Sequence, residues 1–555
     1  MSDVLEGNIS ILVPATPVHP SFRNAWNLWS VHLDPIQVGI CALLVTGVVL
    51  FFRSRNLGGP KHVPLPVDEF IKGHNFIPRN LFPTSSFCSI CERNVIEGFC
   101  CDACSIVVHA YCSKYAHRRL RCKAIASFGP VMEHHMAKGN LPLPSICNVC
   151  FRECGAEAWL CDFRCLWCKA TVHERCLPEL PDVCDLGKHK NFIIPPNCVK
   201  IKMLGMRPRR QPVVSHVRPP ENVDWMPLIV IGNRKSGAGD SALVQSAFRA
   251  ILNPGQVIDV NVVKPEEVLD WVALLPHHTC RILVIGGDGT VGWILNVIEK
   301  LDLKPVPAVA ILPIGTGNDL SNVLGWGAAV TLPLDMDALL TKIAHADFCK
   351  VDRWKVDIRS SSRIGLPLVP ARTLIFNNYV SLGVDALVTL NFHRKREQIP
   401  RFFASRYMNK FLYFTYGTMD VLERACFNLN SKLTLECDGK FINLPTMEGI
   451  VFLNIPSWGA GVNVWNLNRG LEDEEQLIND GYFEVFALYS SFHIAQMQVG
   501  LSSPHRLCRA KAAKLTLHKT SVPMQVDGEP FVQQGPSEIR ISFDRQALLL
   551  STATL

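Results

Sequence analysis

Short apolar runs alternate with helical patterns between residues 228 and 320. The apolar runs cover 228–231, 257–260, 281–285 and 309–313, and helices are predicted around 242–251, 266–275 and 291–300 and again from about Leu320. Strands that alternate with helices in this way form parallel sheets. The pattern predicts an α/β lobe over residues 225–371.

The pattern changes in the remainder of the chain, residues 372–555. Short alternating runs occur at 373–376, 432–435, 449–454, 483–488, 514–518 and 539–543, with Gly, Pro and Asp between them. Such runs are typical of antiparallel sheets with one buried face. We predict an antiparallel β-sandwich lobe that folds over the first lobe.

A hydrophobic segment lies near the N-terminus. Residues 1–34 are polar, and segment 35–52 contains 17 consecutive residues without charge after Pro35. That length just spans a bilayer core of ~30 Å as a helix. Arg53, Arg55 and Lys61 follow the segment, so we expect the bulk of the chain to face the cytoplasm. A re-entrant hairpin is the alternative topology, and residues 53–73 form a predicted linker.

A glycine-rich loop joins the predicted strand 281–285 to the next helix. Its sequence is Ile285-Gly286-Gly287-Asp288-Gly289-Thr290. Glycines permit positive φ and bring bare N–H groups close to a phosphate, but a phosphate repels the Asp288 carboxylate. Asp288 must therefore meet a metal ion or a proton, which suggests phosphoryl transfer with Mg²⁺. An ordinary Asp-Gly turn is the alternative reading of this loop alone.

A second loop of the same kind follows the strand 309–313. It reads Ile314-Gly315-Thr316-Gly317-Asn318-Asp319, and Asp319 is a predicted N-cap of the next helix. Two strand-to-helix loops about 27 residues apart should lie at the same carboxyl edge of one sheet. Together they predict a phosphate-binding site.

The first loop of the lobe also resembles a dinucleotide-binding fingerprint. Gly237-x-Gly239-x-x-Ala242 follows a strand, and Asp259 lies 20 residues beyond Gly239. However, Asn233-Arg-Lys-Ser236 places polar side chains and two cations before the glycines. A dehydrogenase would also leave both later loops unexplained, so it is the weaker interpretation.

Cysteine usage points to zinc. Of 22 cysteines, 16 lie between Cys88 and Cys198, and the pattern Cys-x2-Cys-x4-His-x2-Cys occurs twice. Each copy has six cysteines and two histidines, enough for two tetrahedral Cys₃His sites. We predict two small zinc modules, 74–122 and 135–184, followed by a solvated linker, 185–224.

The cysteine region resembles a pair of C1 domains, the zinc modules of protein kinase C and diacylglycerol kinases. The resemblance implies interleaved zinc ligands in four groups. These are His74, Cys101, Cys104 and Cys122; Cys88, Cys91, His109 and Cys112; His135, Cys165, Cys168 and Cys184; and Cys147, Cys150, His173 and Cys176. Cys100 is an alternative to Cys101, and His134 is an alternative to His135. Short loops and Glu97 in the first copy depart from lipid-binding C1 domains, so we expect neither copy to bind phorbol ester tightly.

The second half resembles the catalytic domain of eukaryotic diacylglycerol kinases. The motifs that carry the resemblance are Asn233-x-x-Ser236-Gly237, Gly286-Gly-Asp-Gly-Thr290, Pro313-Ile-Gly-Thr-Gly-Asn-Asp-Leu320 and Asp352-Arg-Trp354. Gly-Gly-Asp-Gly alone is shared with sphingosine, ceramide and NAD kinases, whereas the whole order of domains is specific. A membrane segment with two C1 modules most resembles the epsilon type of this family.

The resemblance implies ATP and Mg²⁺ as cofactors and phosphorylation of 1,2-diacylglycerol to phosphatidic acid. Asp527 is implied as the base, Glu529 as its orienter, and Asp288 as the Mg²⁺ or phosphate partner; Asp288 and Asp527 could exchange roles. The implied nucleotide-binding residues come from the loops described above: Asn233, Ser236, Gly237, Gly286, Gly287, Gly289, Thr290, Gly315, Thr316, Gly317, Asn318 and Asp319. The Asp527-Gly528-Glu529 segment taken alone also reads as a hairpin turn.

The sequence thus predicts a multidomain protein with a membrane helix, two zinc-stapled C1 modules, an α/β parallel-sheet nucleotide lobe and an antiparallel β-sandwich lobe. Its expected partners are diacylglycerol and membrane lipid, at the endoplasmic reticulum or plasma membrane. The net charge of +7 fits anionic lipid, but no aromatic residues alternate with basic ones as in nucleic-acid-binding proteins. A ceramide or monoacylglycerol kinase and a non-catalytic scaffold are the alternatives. The epsilon resemblance further implies selectivity for polyunsaturated acyl chains.

Overall fold

The computed structural model describes residues 73–80, 82, 86–206, 210–221, 224–234, 240–275, 280–315, 317–360, 371–398, 426–459, 461–467 and 475–553. The predicted segments 1–34 and 35–52 and the linker 53–73, except its last residue, lie outside this part. No helix within the described ranges combines the length and hydropathy needed to cross a bilayer. The described residues belong to one compact unit, His62–Leu555.

Two zinc modules come first, and each is built from very short strands. The first contains β1 (Phe76–Arg79), β2 (Gly98–Cys101), β3 (Val107–Val108) and helix α1 (Ser113–Arg119). The second contains β4 (Met136–Lys138), β5 (Ser145–Ile146), β6 (Glu153–Cys154), β7 (Phe163–Cys165) and β8 (Thr171–Val172). Strands this short cannot bury a sizeable core, so the modules depend on their metal sites.

The predicted linker 185–224 is instead part of the folded core. β9 (Val199–Leu204) and β10 (Gln211–Val217) pair as an antiparallel hairpin. Val213 and Val214 are buried, and Val213 packs with Ile258 of the parallel sheet. The linker interpretation was wrong because prolines and arginines near the turn mask two strands whose apolar residues are covered by the neighbouring lobe.

The first lobe of the second half is the predicted α/β lobe. β11 (Leu228–Gly232), β12 (Val257–Asp259), β13 (Arg281–Gly286) and β14 (Ala308–Pro313) are parallel, in the order β12-β11-β13-β14. The helices are α2 (Asp240–Ile251), α3 (Pro265–Leu269), α4 (Asp288–Lys300), α5 (Asp319–Val323) and α6 (Met336–His345). All residues of β13 and β14 are buried, as expected for strands covered on both faces.

The second lobe is an antiparallel sandwich. Its strands and remaining helices are β15 (Asp347–Ser360), β16 (Arg372–Phe376), β17 (Tyr379–Gly383), α7 (Val384–Gln398), β18 (Leu433–Cys437), β19 (Lys440–Ile442), β20 (Gly449–Leu453), β21 (Phe483–Leu488), α8 (Ser491–Gln498), β22 (His505–Ala510), β23 (Ala512–Leu517), β24 (Ser521–Val526), β25 (Glu529–Gln534) and β26 (Ser537–Ser551). One six-stranded sheet has the order β22-β21-β20-β17-β24-β25. Its inner face packs on β15, β18, β23 and β26 around Trp354 and Phe452.

The long final strand joins the two lobes. β26 pairs antiparallel with β15 over its whole length and also touches β14 in parallel at Leu549. The parallel sheet therefore continues into the sandwich as one ten-stranded sheet. Because β15 begins at Asp347, the second lobe starts before the predicted boundary at residue 372. This continuity holds the loops of the first lobe against the hairpins of the second.

Candidate active site and zinc centres

The two glycine loops touch each other at the carboxyl edge of the parallel sheet. A Cβ built on Gly315 would lie 2.5 Å from the Gly287 Cα, so both positions require glycine for close approach. The sequence permits positive φ at these glycines, but the left-handed residue is Asn318, with φ of 56°. Asn318 is also the N-cap residue of α5, which corrects the predicted N-cap at Asp319.

Asp288 is the carboxylate at the centre of these loops. It is the first residue of α4, and its oxygens accept the backbone N–H groups of Asp319 (3.1 Å) and Leu320 (3.2 Å) at the start of α5. The pKa of Asp288 is raised to about 7, first by burial and next by the negative charge of Asp319, while the two N–H donors act in the opposite direction. The negative charge of Asp527 adds to the rise. Asp319 itself accepts a hydrogen bond of 2.5 Å from the Ser457 hydroxyl.

Asp527 is held by the second lobe. It forms the turn between β24 and β25 with Gly528, with φ of 46° and 82°, as a two-residue hairpin requires. The predicted hairpin turn is therefore present, and it carries the Asp527 side chain. Its carboxylate accepts the backbone N–H groups of Asn377, Asn378 and Tyr379 and the side-chain amide of Asn377, at 2.7–3.1 Å. Burial raises the pKa of Asp527, and these four donors oppose the rise.

Glu529 lies where the β24–β25 hairpin approaches the glycine loop that contains Gly289. It is the exposed first residue of β25, and its Oε1 lies 3.6 Å from where a Cβ on Gly289 would stand. The hairpin of the second lobe thus faces the glycine loop of the first. The predicted residues Asp288, Asp319, Asp527 and Glu529 therefore lie close together where the two lobes face each other.

The remaining nucleotide-loop residues fall into four groups. Gly286, Gly287, Gly289, Thr290, Gly315 and Gly317 lie in or next to the two touching loops. Asn233 follows β11 at the same edge, where its Oδ1 accepts a 3.0 Å bond from Asn261. Asn318 is buried and donates to the carbonyls of Gly315 and Ala328, so its side chain shapes the loop. Ser236, Gly237 and Thr316 lie outside the described residues.

A buried polar network behind Asp527 was not predicted from the sequence. Arg353 is 2% exposed and donates to the Oδ1 of Asn377 (2.9 Å) and to Glu299 (2.6 Å). Trp354 donates to Asn454, whose amide bonds the carbonyl of Asn377. The Asp352-Arg-Trp354 motif was the only available signal, and it carried no assigned role. These contacts fix the orientation of the Asn377 side-chain amide, which donates a hydrogen bond to Asp527.

Four groups of three cysteines and one histidine lie within the zinc modules. In each group all ligand atoms lie within 4.8 Å of one another. The histidine Nδ1 lies 3.3–3.5 Å from one sulfur in each group, which fits ligands around one tetrahedral zinc ion. The other ring nitrogens of His74, His109 and His173 face backbone carbonyls, which orients Nδ1 toward the thiolates.

The ligand groups agree with the interleaved arrangement except at one position. Cys101, not Cys100, joins His74, Cys104 and Cys122. His134, not the predicted His135, joins Cys165, Cys168 and Cys184. Adjacent side chains of an extended chain point in opposite directions, so only one of the two histidines can face the metal site. The carbonyl of His135 instead accepts the N–H of Leu166.

Family models match both lobes of the second half, and the C1 model matches the second zinc module only. Family models for the diacylglycerol kinase catalytic domain, the diacylglycerol kinase accessory domain and the phorbol esters/diacylglycerol binding (C1) domain match residues 227–352, 375–530 and 134–187. "Probable diacylglycerol kinase 3" of Caenorhabditis elegans is 31% identical over 91% of this chain and 68% of its own. Diacylglycerol kinase 2 of Arabidopsis thaliana is 29% identical over 82% of this chain and 78% of its own. A crystal structure of a Bacillus anthracis diacylglycerol kinase aligns with 17% identity and a TM-score of 0.38, over 59% of this chain and 96% of that one. The chain belongs to the diacylglycerol kinase family.

Proposed function

We propose that the protein transfers the γ-phosphate of ATP to the free hydroxyl of 1,2-diacylglycerol and produces phosphatidic acid. The observation that carries this proposal is the cleft in which the glycine loop with Asp288 faces the hairpin with Asp527 and Glu529. Glycines supply bare N–H groups for phosphate oxygens, and the carboxylates supply a proton acceptor and metal ligands. Phosphoryl transfer requires this combination.

Asp288 and Asp319 fit a role as Mg²⁺ partners. Each carboxylate experiences the negative charge of the other, and this raises the pKa of Asp288. A divalent cation relieves such repulsion, and carboxylate oxygens are the ligands that Mg²⁺ prefers. When bound, Mg²⁺ neutralises charge on the ATP phosphates. The chain's own contribution is to hold the two carboxylates beside the phosphate loops.

Asp527 fits the role of the base that accepts the proton of the lipid hydroxyl. Its raised pKa makes it a stronger proton acceptor than an exposed aspartate. Four donors already occupy its two oxygens, and the Asn377 side-chain amide is the one among them that can leave without moving the backbone, at the cost of the bond from Arg353 to the Asn377 Oδ1. We propose that the substrate hydroxyl takes the place of this amide. Glu529, at the exposed mouth of the hairpin, then orients the hydroxyl.

Finer assignments are part of the same proposal. The domain order resembles the epsilon type, which suggests an N-terminal membrane segment at the endoplasmic reticulum or plasma membrane, a cytoplasmic catalytic part and selectivity for polyunsaturated chains. Equal rates with saturated and polyunsaturated diacylglycerol would contradict the selectivity. The anchor would act mainly by raising the local concentration of lipid substrate.

The deciding experiment measures transfer from labelled ATP in mixed micelles that contain diacylglycerol, ceramide or monoacylglycerol. Asp288→Asn and Asp527→Asn should each lower the rate on diacylglycerol by about 10²–10⁴-fold. Asp302→Asn is the matched control, because Asp302 lies on the exposed turn after α4 and pairs only with Lys304 among the described residues. Transfer to ceramide alone would reassign the substrate. No transfer to any lipid by folded, zinc-loaded protein would favour the scaffold.

A pH series separates the two aspartates. A base works only when deprotonated, so the rate should fall as the pH is lowered through the pKa of the base. If Asp527 is the base, the residual activity of Asp527→Asn loses this decline and that of Asp288→Asn keeps it. The opposite result would exchange their roles.

A further inference from the structure

The β9–β10 hairpin ends at the same edge of the sheet as the active-site loops. Gln211, at the turn end of β10, donates to the Asp259 carbonyl (3.2 Å) and accepts the Asp259 N–H (3.1 Å). Asp259 is the last residue of β12 and is in register with Gly232 of β11, which pairs with Ile285 of β13. Gln211 therefore fixes this end of β10 at the carboxyl edge of the sheet, two strands away from β13, which leads into Asp288.

The lysines and arginines of this hairpin give it a positive charge. Residues 199–218 contain six lysines and arginines and no aspartate or glutamate. Lys200 and Lys202 are exposed on one face of β9, and Arg210 is exposed just before β10. None of these three side chains forms an ion pair with any described residue. They are available to a negatively charged partner.

The turn end adds an exposed apolar side chain. Met206 follows β9 and is 88% exposed, whereas the opposite face of the hairpin is buried against the lobe. A basic surface with a flexible apolar side chain at its tip is typical of contacts with the headgroup region of a membrane. Residues 199–218 contain no aromatic side chain, which disfavours single-stranded nucleic acid as the partner.

We propose that the basic hairpin, defined by Lys200, Lys202, Met206 and Arg210, docks on anionic phospholipid headgroups. Docking would turn the carboxyl edge of the sheet, and with it the cleft, toward the bilayer that holds the lipid substrate. This inference rests on the proposed function. It adds a lipid partner distinct from the substrate, recognised by its negative headgroup.

The test compares initial rates of the purified full-length protein in micelles of fixed diacylglycerol content, with phosphatidylcholine alone or with added phosphatidylserine. The unmutated protein should be faster with phosphatidylserine, and the gain should shrink as salt is raised. Lys200→Gln/Lys202→Gln should lose about fivefold in apparent lipid affinity for each lysine in the anionic micelles. Its rate in neutral micelles and its KM for ATP should not change.

Lys440→Gln/Lys519→Gln is the matched control. Both lysines are exposed, and they lie in the sandwich lobe, on or beside strands at the other end of the ten-stranded sheet. An equal response of both double variants to phosphatidylserine would overturn the proposal, as would a raised KM for ATP in the hairpin variant. If the unmutated protein is inactive in both micelles, the proposed reaction itself fails, and retention on phosphatidylserine vesicles then tests the hairpin alone. Met206→Ser should reduce that retention by less than Lys200→Gln/Lys202→Gln does.

Discussion

The two zinc modules attach to the catalytic lobe by different physical means. The inner metal group of the second module shares one hydrophobic core with the parallel sheet, since Cys165, Trp167 and Cys184 pack in the same cluster as Val230 and Leu283. The first module has its own small core, which contacts the second module through Leu166. The second module is thus an internal part of the catalytic fold.

The first module reaches the catalytic lobe mainly through buried charges. Lys123, which is 0% exposed, donates to the carbonyls of residues 249–252 at the end of α2, at 2.8–3.2 Å. Burial lowers the pKa of Lys123, while the carbonyls and the Trp167 ring at 4.1 Å favour the charged form. Asp102 and Arg249 form a second buried contact at 2.7 Å. Two modules with the same ligand pattern therefore stabilise one lobe mainly by packing in one case and mainly by buried charges in the other. The second module adds one cap of its own, since Lys169 donates to the carbonyl of Ala250 at 2.6 Å.

The largest expected effect is the loss of the inner zinc site of the second module. A structural zinc site contributes roughly 10 kcal/mol or more, which is comparable to the whole stability of a domain. Cys165→Ser should therefore prevent stable folding of the catalytic lobe. Cys147→Ser removes a ligand of the outer site, whose small core is separate, and should melt that end only. Thermal unfolding and zinc content should be measured for both variants. Equal melting curves for Cys165→Ser and Cys147→Ser would contradict the expected difference between the two zinc sites.

The next effect isolates packing from metal binding. Trp167 is 1% exposed in the shared core, so Trp167→Ala should lower the free energy of unfolding by about 3–5 kcal/mol. Trp159 belongs to the same module but is 57% exposed, and Trp159→Ala should change stability by no more than about 0.5 kcal/mol. Urea unfolding followed by circular dichroism measures both. Similar losses would mean that the second module does not share a core with the lobe.

The sequence predicted elements well where one segment carries its own pattern. The runs 281–285 and 309–313 are β13 and β14, and the alternating runs after residue 372 form the sandwich. Both patterns follow from local periodicity, which needs no knowledge of neighbours. The facing of Asp288 and Glu529 was predicted through the family resemblance.

Features that depend on distant partners escaped prediction. The residues 185–224 look like a linker because they include a basic, proline-rich stretch, and only the adjoining lobe shows that Phe192 and Val213 are buried. Asn377 acquires its role from Asp527, 150 residues away, and from Arg353. The choice between His134 and His135 depends on which face of the chain before β4 meets Cys168. None of these pairings produces a periodic pattern in the amino-acid sequence.

A smaller loss of stability is expected when the Lys123 cap of α2 is removed. Lys123→Met keeps the length of the side chain but removes the donor of the carbonyls of residues 249, 251 and 252, while Lys169 still donates to the carbonyl of Ala250. Buried polar groups that lose their partner cost about 1–3 kcal/mol, so we expect a loss of that size in the unfolding free energy. Lys138→Met is the control, since Lys138 forms an exposed ion pair with Glu174 worth about 1 kcal/mol or less. If Lys123→Met leaves the free energy of unfolding unchanged, the first module contacts α2 without stabilising it.

The smallest expected effects concern the two residues that the structure leaves outside the metal groups. Cys100→Ser and His135→Ala should each retain four zinc ions per chain, because Cys101 and His134 are the members of the ligand groups. Cys101→Ser and His134→Ala are the matched variants and should each lower the zinc content. Their stabilities should differ, because the His134 site lies in the core shared with the parallel sheet while the Cys101 site lies in the separate core of the first module. Metal analysis of the four proteins, with unfolding curves, checks both the ligand choice and the difference between the modules. If His135→Ala loses zinc instead, the ring of His135, and not that of His134, must be the zinc ligand of this site.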